Sequence, residues 1–271
     1  LTLEGFSRPF SPGGAASIVQ AFPWDFSMEA LIVHFRADEQ ALDELIPDPL
    51  GRHPERHGEA FWLCVDHVTQ PRVAGSEQWH PSRLRSFECA IGVPVSFGDR
   101  PGSYWPYSWT DSDWNAFSFW TFGYAARIAR LSLTHTQAEH PHMRGPAPGA
   151  VYRASVERLG DRVADATVRL AEEVAPEDSP LANLPESFSM RHVPDVVIGS
   201  RRPLVHDLIV GRSEGRIAGP IWRGAAELSL NVGAENEWLA PLEPLELIAG
   251  YHAVFGYSII GAETVFDYTS A

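Results

Sequence analysis

From Ala60 onward the chain is a succession of short runs rich in β-branched and aromatic residues, each closed by glycine, proline or asparagine, a punctuation that leaves little room for long helices. The runs are Phe61–His67, Phe87–Phe97 and Tyr104–Thr110, then Val151–Arg158 and Val163–Leu170 joined through Gly160-Asp161, a hairpin signal. Val193–Ile198, Leu204–Val210, Ala225–Val232, Leu245–Phe255 and Ser258–Tyr268 follow. Upstream, Glu29–Arg36 reads as a strand, and the apolar spacing of Ala41, Leu42, Leu45 and Ile46 predicts a short helix over Asp38–Ile46, ended by Pro47. The acidic, proline-bearing stretch Ala171–Ser187 reads as a surface loop with one helical turn. No repeat and no linker divides the chain, so a single domain over residues 1–271 is expected, α+β in class and predominantly β.

Composition narrows the partners. A net charge of −14 repels phosphate backbones and anionic lipid, and no arginine-rich run makes a local exception. This argues against nucleic acid and membrane as partners and for a small molecule. Leu1 to Phe10 lack the basic and then apolar order of a signal peptide, and Leu245 to Phe266, the most apolar stretch, is broken by Glu246, His252, Glu263 and several glycines. A cytoplasmic protein is expected. Cys64 and Cys89 fall in strand runs and read as buried free thiols, with a single bridge between them as the alternative. His135, His140 and His142, and likewise His53 and His57, lack the spacing of a metal site, so no metal is expected. Motifs for a nucleophile elbow, a phosphate loop or a dinucleotide fold are missing, and no cofactor is expected.

Several segments, in order, carry a family resemblance. Glu29, Val33, Phe35 and Arg36 lead into Ile46-Pro47-Asp48-Pro49-Leu50; Glu88 precedes Val93-Pro94-Val95-Ser96-Phe97, Gly102, Tyr104 and Asp111. Gly219-Pro220, Ala240-Pro241-Leu242, His252 and Val265-Phe266-Asp267-Tyr268 extend the pattern to the end. In these the chain resembles acetoacetate decarboxylases and their relatives. The resemblance implies a curved antiparallel sheet or barrel around a central pocket, a few flanking helices, and a homo-oligomer. It also places Glu88 on the family's active-site glutamate.

The same comparison shows what is missing. The family ends its central helix with G-Y-P-K-K, whose first lysine forms a Schiff base and whose second depresses the first one's pKa; here the segment is Gly123-Tyr124-Ala125-Ala126-Arg127. The sequence contains no lysine: all 21 of its cationic side chains are arginine. A guanidinium stays protonated and has no free lone pair with which to attack a carbonyl, so no side chain of this sequence can form an imine. Two further polar positions of the family align with Met28 and Trp62, neither of which carries acid or base chemistry.

Glu88 is the leading catalytic candidate, because a carboxyl on a strand inside an apolar pocket has a raised pKa and can move a proton at neutral pH. Arg127, beside the lost lysine, is the second, as a holder of a carboxylate or an enolate oxygen; the alternative is a structural salt bridge. The aromatic run supplies candidate substrate-binding residues in Tyr104, Trp105, Tyr107, Trp109 and Trp120, although core packing is the favoured account of most of the run. Strand alternation puts Trp105, Tyr107 and Trp109 on one face and Tyr104 on the other, unless Pro106 bulges the strand. Ala126, Met28, Trp62 and His252 complete the expected lining, and Asp111 and Asp113 read as turn residues. The leading functional expectation is a lysine-independent enzyme that acts on an oxo acid or polyketide-like carbonyl compound by enolisation, dehydration or cyclisation. The alternatives are a non-catalytic binding protein for a carbonyl or carboxylate ligand, and a decarboxylase without an imine.

Overall fold

The computed structural model describes residues 2–72, 85–182, 184–231, 239 and 242–270. Strands dominate, as the punctuation predicts. In chain order they are β1 (Trp24–Arg36), β2 (Gly51–Arg52), β3 (Glu59–Pro71), β4 (Arg85–Phe97), β5 (Arg100–Thr110), β6 (Ala126–Ile128), β7 (Arg130–Leu133), β8 (Val151–Arg158), β9 (Asp161–Val174), β10 (Glu186–Val193), β11 (Val205–Leu230) and β12 (Glu246–Asp267). Among the described residues two α-helices accompany them, α1 (Glu39–Asp43) and α2 (Asp113–Thr121). Asp38 caps α1 by accepting from the Ala41 amide at 2.9 Å.

Hydrogen bonding runs β10-β5-β4-β3-β1-β12-β11, and β10 also pairs with β11, so these strands close into a ring. The sheet is mixed rather than purely antiparallel, because β10 and β6 each pair with β5 in parallel. The far half of β11 leaves the ring to pair with β9, which continues through β8 to β7. This second layer packs against the outside of the ring. The largest core lies between the two and joins Leu31, Val33, Phe35, Trp62, Cys64, Cys89, Ile91 and Trp109 to Leu131, Tyr152, Val156, Val163 and Val168.

Alternation along each strand then decides what faces inward. With Cys64 and Cys89 turned outward, Leu63, Val65 and His67 on β3 and Ser86, Glu88 and Ala90 on β4 face the interior of the ring, joined by Phe26 and Met28 on β1. The two cysteines are directly opposed, buried and free.

Two expectations about the strands change. Val193–Ile198 is not a strand: Pro194 cannot donate to a ladder, β10 ends at Val193, and Val196, Val197 and Ile198 stand exposed. The separate runs from Leu204 onward fuse into the long strands β11 and β12, because bulges between Arg212 and Ile221 absorb the breakers Gly215 and Pro220 without ending the pairing. Part of the acidic stretch that reads as a loop also belongs to strands, since β9 runs to Val174 and β10 begins at Glu186. Ala240-Pro241 lies outside the described residues. Among the described residues no helix is long and apolar enough to cross a membrane.

Candidate active site

Glu88 is held on the inner face of β4 with its side chain only 15% exposed. Burial pushes its carboxyl up to about 7, opposed by a hydrogen bond from Asn115 that favours the charged form. Asn115 lies on α2, which Ser112 caps by accepting from the Asn115 amide at 3.3 Å. Asp113, expected in a turn, therefore opens a helix, while Asp111 accepts from the Phe87 amide at 2.8 Å and ties the end of β5 to β4.

Beside Glu88 is a buried group that sequence reading missed. His67 Nε2 lies 3.7 Å from the Glu88 carboxyl, 2.9 Å from Ser86 Oγ and 3.2 Å from Asn115 Nδ2, while its Nδ1 lies 2.8 Å from Thr69 Oγ1. Burial lowers the imidazole to about 4, so it is neutral near pH 7. With its proton on Nδ1 donated to Thr69 Oγ1, Nε2 carries a single lone pair, which Ser86 Oγ and Asn115 Nδ2 both approach. Asn115 also donates to Thr110 Oγ1 at 3.1 Å. This hydroxyl and amide network fixes the base of the site and leaves the Glu88 carboxyl as its one strongly titratable member near neutrality.

The remaining inner wall is aromatic. Phe26 stacks on Tyr257 at 5.5 Å and leans on His67 at 5.8 Å; Tyr257 and Phe255 stack in turn. The Tyr124 hydroxyl bonds Ser187 Oγ at 2.8 Å, and burial raises that phenol to about 12. Tyr257 is raised further, and the Glu88 charge contributes to the rise at both phenols. Phe26, Glu88, Trp105, Phe255 and Tyr257 on the inner face, and Tyr124 beside them, are each only partly buried. Ser108, paired with Ala90 on one side and Ala126 on the other, is 2% exposed, and its Oγ has no partner among the described residues. A buried hydroxyl left without a partner is costly, and this one is diagonal to Glu88 across β4 and β5.

The acetoacetate decarboxylase (ADC) family model matches residues 7–269. The chain belongs to the acetoacetate decarboxylase family. Its fold is shared with the enduracididine biosynthesis enzyme MppR complexed with the condensation product of pyruvate and imidazole 4-carboxaldehyde, at 24% identity and a TM-score of 0.87 over 99% of this chain and 98% of that one. An acetoacetate decarboxylase-like enzyme from Sphingomonas wittichii RW1 is similar at 22% identity and a TM-score of 0.86, over 97% of this chain and 100% of that one. Acetoacetate decarboxylase from Legionella pneumophila follows at 16% identity and 0.77, over 99% and 98%. No curated protein sequence matches the chain.

On this acetoacetate decarboxylase fold, four of the sequence candidates come together: Glu88, Met28, Ala126 and Trp105 all belong to the inner face. Trp105 gets there by a bulge. Ile91 pairs with Tyr107 and Val93 with Tyr104, so Trp105 and Pro106 together oppose Gly92, and the count of alternation breaks at Pro106. Gly92 is what admits the indole, since a Cβ there would lie 2.6 Å from the Trp105 ring. Trp105 Nε1 donates to Ser103 Oγ at 2.9 Å.

The other candidates are separated from Glu88. The expected common face of Trp105, Tyr107 and Trp109 is split: Tyr107 and Trp109 point outward into the core between the layers, as does Trp62. Tyr104 is outward too, packed with Leu50, Val95 and Phe188. Arg127 pairs in register with Trp109, is exposed, and its charge bears on Tyr107, so the expected Glu88–Arg127 pair does not form. Trp120 is 70% exposed and donates to the Ala126 carbonyl at 2.8 Å. His252 is buried on the outer side, bonded to Glu29 at 2.8 Å and packed on Tyr152 at 4.4 Å. Among the described residues no cluster of three His, Cys, Asp or Glu side chains could hold a metal ion.

Proposed function

We propose that this protein is an enzyme that moves a proton on a small carbonyl compound, an oxo acid or polyketide-like substrate, without an imine on any of its own side chains. The observation that carries the reading is the Glu88 carboxyl, raised to about 7 inside an aromatic ring interior, where acid and base forms coexist at neutral pH. As a base, Glu88 takes the α-proton; as an acid, it returns a proton to carbon or to a departing hydroxyl. The Ser108 hydroxyl, without a partner among the described residues and paired in register with Ala126, donates to the carbonyl oxygen as negative charge builds there. Enolisation, dehydration and ring closure all use this pair of roles. The structures of MppR complexed with pyruvate and with a condensation product of pyruvate make a 2-oxo acid the first substrate class to examine.

The apolar Met28 and Ala126 favour a second reading, binding without turnover, and the exposed position of Arg127 removes support from decarboxylation with that residue as the charge partner. Incubation in D2O with a panel of 2-oxo acids, 3-oxo acids and β-diketones separates them by NMR. Deuterium incorporation at the α-carbon, or a new product, that disappears in Glu88→Gln is expected. Saturable binding with no exchange on any member of the panel would favour the binding protein.

A further inference from the structure

The register of β11 against β12 carries one extra residue opposite the inner wall. Glu214 pairs with Ser258 and Ile217 with Gly256, so Gly215 and Arg216 together face Tyr257. Gly215 sits at φ 63°, the left-handed conformation with which a glycine-led bulge begins, and such a bulge re-aims the residue that follows it. Glu214 points outward, where it reaches Arg72 at 3.5 Å; Ile217 is outward and exposed. Arg216 is left on the side of Tyr257.

Its neighbours are all engaged elsewhere. Arg212 is held by Glu186 and Glu263, and Arg72 by Asp25 and Glu214. Arg216 is exposed and makes no ion pair among the described residues. Its charge nevertheless reaches inward, because it draws the Tyr257 phenol down while Glu88 pushes that phenol up. Among the described residues the groups around Glu88 are neutral: His67, Ser86, Asn115, Ser108, Tyr124 and Tyr257. A chain of net charge −14 repels small anions at long range, so taking one into this interior requires a local cation, and a guanidinium suits a carboxylate because it can donate two parallel hydrogen bonds.

We propose that Arg216, lifted to the rim of the ring by the Gly215 bulge, holds the carboxylate of the substrate, so that the site selects oxo acids over neutral carbonyl compounds. The assignment rests on reading the ring interior as the substrate site. Wild-type protein, Arg216→Gln and Arg216→Lys are titrated with pyruvate and with pyruvamide, its neutral counterpart, and binding is followed by NMR. Wild-type protein should bind pyruvate more tightly, and Arg216→Gln should weaken pyruvate by roughly tenfold or more while leaving pyruvamide within about threefold. Arg216→Lys, which keeps the charge and loses the fork, should fall between them.

Equal binding of both probes by wild-type protein, pyruvate binding unchanged in Arg216→Gln, or binding of neither probe would overturn the assignment. Glu88→Gln separates the two proposals. A pyruvate preference that follows Arg216, with no α-exchange in any variant, leaves the clamp standing and sinks the proton-transfer reading. Exchange that depends on Glu88 without such a preference sinks the clamp alone.

Discussion

Glu88→Gln keeps the volume and the hydrogen-bonding reach of the side chain and removes its proton, so it converts the electrostatics of the site into a stability measurement. The carboxyl is raised from 4.5 to about 7 by burial. In the unfolded chain it ionises near the lower value. Between the two, the unfolded state has lost a proton that the folded state keeps, so stability falls as pH rises through that window and the loss is complete above the folded value. At about 1.36 kcal/mol per pH unit, the interval corresponds to a cost of roughly 3 kcal/mol at pH 8 and almost none at pH 4.5. With the side chain only 15% exposed, solvent screening removes little of this. Urea unfolding of parent and variant at pH 4.5, 6 and 8 should therefore show matched stabilities at the acid end. At pH 8 the glutamine variant should be ahead by roughly 3 kcal/mol, with a thermal midpoint several degrees higher. A difference that does not vary with pH, or a parent that gains on the variant as pH rises, would refute the claim that burial holds this carboxyl protonated.

Other substitutions probe the same interior. Gly92→Val forces a branched side chain against the Trp105 ring, where even a Cβ lies at 2.6 Å, and should cost roughly 1–3 kcal/mol and shift tryptophan fluorescence; an unchanged spectrum and stability would mean that the indole does not pack there. Ser108→Ala removes a buried hydroxyl with no partner and should leave stability equal or higher while lowering turnover at least tenfold, by roughly 1.4 kcal/mol of lost stabilisation as charge builds on the carbonyl oxygen. A loss of stability without loss of turnover would make that hydroxyl structural. Ala126→Lys places an amine on the inner face, and borohydride should trap a carbonyl probe on the variant and not on the parent; trapping on both, or on neither, counts against an open interior at that position.

The strands were readable because their apolar alternation is set locally, and Glu29–Arg36, Phe61–His67 and Phe87–Phe97 each lie within an observed strand. Where pairing partners rather than local pattern decide, sequence reading stops short. Gly215 and Pro220 look like strand ends, yet both are absorbed as bulges because β12 continues alongside. Pro106 does the same at the site and reverses the face of Trp105 relative to Tyr107, so one irregular residue sends most of the expected aromatic lining into the outer core. Glu88 was legible only through the family pattern. His67, Ser86, Asn115 and Ser108 were not, since hydroxyls, an amide and an imidazole scattered over three strands and a helix have no spacing signature until the strands pair.

The loss of lysine and the state of Glu88 are one physical change. Ala126 pairs with Ser108, which pairs with Ala90, so the position at which the family carries its Schiff-base lysine lies on the same wall as Glu88, displaced by one inward-facing residue along β4. A cation there would favour the carboxylate and hold Glu88 ionised, a counter-ion rather than an acid. With alanine in its place, no charge opposes desolvation, the carboxyl rises to about 7, and the neighbouring His67 is neutral as well. The substitution that removes covalent catalysis thus gives the remaining glutamate the proton affinity of a general acid and base. Reintroducing a cation in Ala126→Lys should pull the Glu88 titration back toward the ordinary carboxylate range. That movement, read by NMR on the glutamate side chain, tests the link without any substrate, and a Glu88 titration unmoved by the new amine would break it.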